Sequence, residues 1–148
     1  MKITDIMIGD WVFVNNHDLD HLYPYQIRQI RKDSRTFYAE AIDPNERGEV
    51  YVGPLSSLVP IEITGKALEA SGLRKKERPG GLREWEWISP DGSAVIAVYE
   101  SEDAPPMVIL SHNRPEREHF RVTAAVNHIH QLQHLCNFCS FPLTIKPA

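Results

Sequence analysis

The sequence predicts an α+β protein in which an N-terminal SH3-like small β-barrel is followed by a short helix, a β-meander and a packing C-terminal helix. Three observations predict it. The first sixty or so residues hold five short β-like runs separated by turn residues. A helix start and stop are written around residues 64 to 72. The segment from 124 to 138 carries apolar residues at helical spacing.

The elements follow in order. Gly9 and Asp10 make the turn into the first strand, WVFVN at 11 to 15, and YQIRQI (25 to 30), TFYAEAI (36 to 42), EVYVG (49 to 53) and LVPIEI (58 to 63) supply four more. In YQIRQI, strict alternation sets Tyr25, Ile27 and Gln29 on one face and Gln26, Arg28 and Ile30 on the other. Five such strands in so short a span suit a partly open barrel. Thr64 then reads as the N-cap of a helix from 65 to 71, with Ile63 stapled on Leu68, and Gly72 as its C′ residue, returning Leu73 onto Leu68.

LRKKERPGGLR (73 to 83) reads as an exposed basic loop. REWEWIS and SAVIAVYE flank Pro-Asp-Gly at 90 to 92 as a β-hairpin, and MVILSH (107 to 112) and HFRVT (119 to 123) extend it into a meander. The segment HNRPEREH between the last two is a polar turn. Thr123 caps the late helix, and FPLTI (141 to 145) closes the chain as a last strand. The division expected is 1 to 62 and 63 to 148, with Val-Pro-Ile-Glu-Ile leaving little room for a flexible linker, so that the two parts can share one core.

Composition narrows the function classes. Of 148 residues, 42% are hydrophobic and 24% charged, as in globular proteins, and the net charge of −4 argues against a surface built throughout for nucleic acid. Thr4, Asp5 and Asp10 interrupt what would have to be the apolar region of a signal peptide. No apolar run approaches the roughly 20 residues of a membrane helix. The two cysteines, Cys136 and Cys139, cannot staple distant parts of the chain, which suits a reducing compartment; the expectation is a cytoplasmic protein without membrane contact.

Several residues invite chemistry. His130 and His134 stand four apart on the late helix, as zinc ligands do, but Gln131 occupies the position where a metalloprotease carries its Glu base, and His112 and His119 lie outside the helix. At 100° per residue Ala125, Ile129, Leu132, Leu135, Cys136 and Cys139 share an apolar face, while His130, Gln133, His134 and Asn137 form an opposite, solvated one with His128 on the border. A joint His and Cys zinc site is thereby excluded. The Cys-x-x-Cys pair sits at a helix C-terminus, where no dipole stabilises a thiolate, and reads as core.

HDLDH at 17 to 21 matches no calcium-loop spacing. In REWEWIS, Trp85 and Trp87 fall on one face as a core or interface anchor, and Glu84 and Glu86 on the other as a solvated stripe. Arg74, Lys75, Lys76, Arg78 and Arg83 could meet phosphates, yet no aromatic residue between 73 and 83 offers a base a stacking partner.

Three stretches, ITDIMIGDWVFV (3 to 14), VPIEITGKALEASGL (59 to 73) and VNHIHQLQHL (126 to 135), match in order. On them the chain resembles a family of small uncharacterised proteins from gut anaerobes, often met near prophage or other mobile elements. The resemblance implies a β-rich N-terminal part, a short helix and a late packed helix, and brings no activity with it. In relatives the stretch at 130 to 134 looks like H-[EQ]-L-Q-[HN], a variation that a fixed zinc pair would not tolerate.

The function expected is that of a non-enzymatic interaction or accessory module of a mobile element, acting through a protein partner or self-association. The alternatives are nucleic-acid binding through the β unit and residues 74 to 83, and a metal-dependent enzyme using His130 and His134. No cofactor is expected.

Overall fold

The computed structural model describes residues 5–15, 24–41, 50–112 and 120–148. HDLDH at 17 to 21 and His119 lie outside the described residues. The chain forms two compact units, Met1–Ile61 and Glu62–Ala148; among the described residues each is built on a five-stranded antiparallel sheet, and the protein is mostly β, of α+β class, with two α-helices.

The first unit contains β1 (Trp11–Val14), β2 (Pro24–Arg31), β3 (Thr36–Ala41), β4 (Val50–Pro54) and β5 (Leu58–Pro60), with a 3-10 turn at Leu55–Ser57 before the last strand. The sheet order is β4-β3-β2-β1-β5. Among the described residues its edge strands β4 and β5 do not pair, so the sheet does not close into a barrel. Alternation builds its core: Val12, Val14, Tyr25, Ile27, Phe37 and Ala39 are buried from three strands.

One detail departs from strict alternation. The register of β2 against β3 shifts between Ile27 and Gln29, so the bulge at Arg28 reverses the phase of the rest of the strand. Ile30 therefore pairs with buried Phe37 and packs on the core, while Gln29 turns outward. The expected placement of Gln29 beside Tyr25 and Ile27 is corrected by this one extra residue.

The second unit runs α1 (Gly65–Ala70), β6 (Arg74–Glu77), β7 (Arg83–Ile88), β8 (Ala94–Ser101), β9 (Ala104–His112), β10 (Phe120–Ala125) and α2 (Ile129–Phe138). Its strands follow one another in the sheet, β10-β9-β8-β7-β6. Helix α1 has the ends its sequence prescribes. Thr64 Oγ1 accepts from the Ala67 N–H at 3.2 Å. At the other end the Gly72 N–H donates to Glu69 and the Leu73 N–H to Leu68, the two bonds of a Schellman ending, with Gly72 at φ 94°.

Three expectations are corrected here. Residues 74 to 77 are an edge strand, because an edge leaves Arg74, Lys75 and Lys76 in water while their backbone pairs with β7; only the Pro-Gly-Gly step at 79 to 81 acts as the breaker. Thr123 caps no helix: the segment to Ala125 continues the sheet, with Val122 opposite Leu110 and Ala124 opposite Val108. Helix α2 begins at Ile129, where Gln131 Oε1 accepts from the backbone N–H groups of Asn127 and His128 at 3.0 and 3.2 Å.

FPLTI, finally, forms no strand. Side chains bond part of this tail's backbone instead: the Ile145 N–H donates to Gln133 Oε1 at 2.7 Å, Gln133 Nε2 donates to the Leu143 carbonyl at 3.3 Å, and the Lys146 N–H donates to Ser71 Oγ at 2.8 Å, while the Phe141 N–H donates to the Cys136 carbonyl. Phe141 and Ile145 are buried along this tail.

Candidate interaction surface

Cross-strand pairing sorts the side chains of the second sheet onto two faces. Trp85, Val98, Val108 and Ala124 form one row and Trp87, Ile96, Leu110 and Val122 the next. This is the face that the helices cover: the Trp85 ring lies against Gly65 of α1, and His112 packs on Phe141 with ring centroids 4.5 Å apart. Ile129, Leu132 and Cys136 of α2 are fully buried.

The opposite face is not wholly polar, as alternation would make it. One row holds Arg74, Glu86, Ala97, Ile109 and Thr123; another holds Ile88, Val95, Ser111 and Arg121; a third holds Lys76, Glu84, Tyr99 and Met107. Ile88 is 52% and Met107 39% exposed, and Val95 and Ile109 are half-buried beside them. None of these was a candidate on sequence grounds. The signal was present in Ala-Val-Ile-Ala-Val at 94 to 98, because an uninterrupted apolar run sends apolar groups to both faces of a strand.

The charged groups beside that patch are largely paired. Lys76 Nζ lies 2.6 Å from Glu86 Oε1, and Arg78 pairs with Glu84. Glu84 is buried, not part of a solvated stripe, because the guanidinium of Arg78 folds over it from the β6–β7 turn and Tyr99 donates to it from the next strand. The Arg78 hydrogen bond holds the Glu84 carboxyl below its ordinary range, against the opposing effect of burial. Burial, reinforced by the Glu84 charge, raises the Tyr99 phenol.

Of the five basic residues singled out by sequence, Lys76 and Arg78 are thus neutralised by carboxylates, while Arg74, Lys75 and Arg83 form no salt bridge among the described residues. Strand β6 is exposed at all four positions. Beside it an open cleft of about 510 Å³ is lined by Glu69, Gly72, Leu73, Arg74, Lys75 and Trp85.

The two tryptophans are not equivalent surface anchors. Trp85 is buried and donates its Nε1–H to Glu100 at 3.0 Å, whereas Trp87 is half-buried. Of the core and interface readings open to the pair, Trp85 takes the core one, and the accessible apolar group of this strand is Ile88.

The histidine side of α2 also differs from the wet face expected. His130 is 2% exposed, stacked on His128 with ring centroids 5.6 Å apart and edge-on to His134 at 5.7 Å. Gln133 is occupied by the C-terminal tail. The helix is short and its polar side is buried at His130, half-buried at Gln133 and His134 and exposed at Asn137, so a helical wheel alone could not assign the whole side to water. Among the described residues, no three His, Cys, Asp or Glu side chains are grouped so as to hold a metal ion. Cys136 is fully buried, which pushes its thiol up to about 12, and burial raises Cys139 as well.

Among the described residues, no helix is long and apolar enough to cross a membrane. No protein-family model, no curated protein and no solved structure matches the chain.

Proposed function

We propose that this protein is a non-enzymatic interaction module that receives a protein partner on the outward face of its second sheet. The observation that carries the reading is the apolar patch of Ile88, Val95, Ile109 and Met107 on that face, rimmed by ion-paired charges. Apolar centres with polar rims are what protein contacts bury. Residues singled out in the sequence have structural employment: Gln131, standing where a metalloprotease carries its base, caps α2, Glu84 is held by Arg78, and Cys136 is a core thiol that burial keeps protonated.

An SH3-like character of the first unit is part of the proposal, supported by its last short strand returning to pair with the first after a 3-10 turn. An accessory role in a mobile element rests on the sequence resemblance alone.

Light scattering across a concentration series, with capture by immobilised protein, tests the reading. Wild type is expected to associate or to retain a partner, and Ile88→Lys with Met107→Lys to lose it. A wild type that stays monomeric and retains nothing sensitive to these substitutions sinks the idea. The nucleic-acid alternative draws on Arg74, Lys75 and Arg83; a labelled mixed oligonucleotide that fails to bind at low salt removes it.

A further inference from the structure

We propose that the free edge of β6 takes up an extended partner segment of alternating acidic and apolar residues, which adds to the second sheet as a sixth strand. This rests on the reading of the second unit as an interaction module and gives the partner its chemistry.

Among the described residues strand β6 ends the sheet, and an edge strand turns half of its backbone N–H and C=O groups away from its neighbour. All four residues are exposed. A strand laid beside it would send alternate side chains to the two faces of the sheet. On the outward face they meet Arg74, which forms no salt bridge among the described residues, and Lys76, which already pairs with Glu86; on the other they meet Lys75 and the cleft of about 510 Å³ lined by Leu73, Gly72 and Trp85. Carboxylates suit the first face. A modest apolar side chain suits the second, lying along the aliphatic stem of Lys75 with the ammonium left in water.

The charges also disfavour the competing occupants. Arg-Lys-Lys-Glu at 74 to 77 sets three cations against one carboxylate, and in the antiparallel pairing of two copies centred on Lys75 that residue meets its own copy while Arg74 stands opposite Lys76 on the outward face. A single-stranded nucleic acid would lack a stacking platform, since Trp85 is buried and hydrogen-bonded to Glu100.

The test is a titration of the full chain into a labelled octapeptide of alternating Glu and Val, followed by fluorescence anisotropy and by amide shifts of residues 74 to 77. The expected result is saturable, salt-sensitive binding with those amides perturbed. Binding is expected to weaken by at least about tenfold for the same peptide N-methylated at alternate residues and for Arg74→Glu with Lys75→Glu. The N-methylated peptide keeps the charge and removes the ladder donors, and it is read on unaltered protein, so misfolding of the variant cannot imitate the result.

Equal affinity for the two peptides reduces the site to surface charge and overturns the proposal. So does tighter binding of an oligothymidylate of matched charge, or self-association of the chain that Lys75→Glu abolishes. A null titration beside an intact, Ile88-dependent association removes this inference alone and leaves the outward face as the contact surface.

Discussion

Arg78, in the turn after β6, covers the carboxylate of Glu84, and the two differ sharply in exposure: the arginine side chain is 52% accessible and the glutamate 2%. A charge that the sequence places on a solvated stripe is thus buried under a cation from its own hairpin. The pair fixes the turn to the outward face of the second sheet, between the basic edge and the apolar patch.

Arg78→Ala is expected to destabilise the protein at neutral pH, since it leaves a buried carboxylate without its cation. Glu84 titrates below its ordinary range in the folded chain, so its contribution is complete above the unfolded carboxylate pKa and is lost as pH falls through the lowered folded value. Thermal melts of wild type and variant should therefore converge on acidification. A gap in Tm that persists unchanged into strong acid would contradict the pairing.

Gly65→Ala tests the contact between α1 and the sheet. Helix propensity alone favours alanine by about 1 kcal/mol. A Cβ at this position, however, would sit 2.8 Å from Cζ2 of Trp85, an overpacking that typically costs about 1–3 kcal/mol. Net destabilisation is expected, with a change in Trp emission; a more stable variant would show that the close approach is absent.

The ends of α1 predict two independent losses. Thr64→Ala removes the side-chain acceptor for the Ala67 N–H and should cost about 1 kcal/mol. Gly72→Ala forces a Cβ into a left-handed conformation at φ 94° and should cost about 1–2 kcal/mol. Urea denaturation measures both, and the two should add, being at opposite ends of the helix.

Cys136 should resist alkylation by iodoacetamide in the native protein at neutral pH and react on denaturation, because burial keeps its thiol protonated up to about 12. The sign of the accompanying pH effect is fixed. With the folded pKa above the ordinary 9.0, this thiol's contribution is fully present below 9.0 and stability declines as pH rises from there toward about 12. Rapid modification of Cys136 in the folded state would refute its burial.

Much of the fold is written in local sequence. The strands of the first unit, the caps of α1, the β7–β8 hairpin and the late apolar helix all follow from propensity, turn residues and period, which act within a few residues of the chain. The candidate surface was less legible. Ala-Val-Ile-Ala-Val at 94 to 98 carried the signal of an apolar second face, but only register brings Ile88, Val95, Ile109 and Met107 from three strands onto one side.

By itself, then, the sequence determined the kinds of elements, most of their positions and the residues able to cap them, because backbone preference and hydrogen bonding are local. Tertiary structure decided which side chains are wet. It turned Lys and Arg at 74 to 76 into an edge strand, buried Glu84 and His130, gave the C-terminal backbone to Gln133 and Ser71, and left Ile88 and Met107 accessible. Burial and pairing depend on neighbours distant in the chain, and no periodicity within one strand or helix specifies what packs against it.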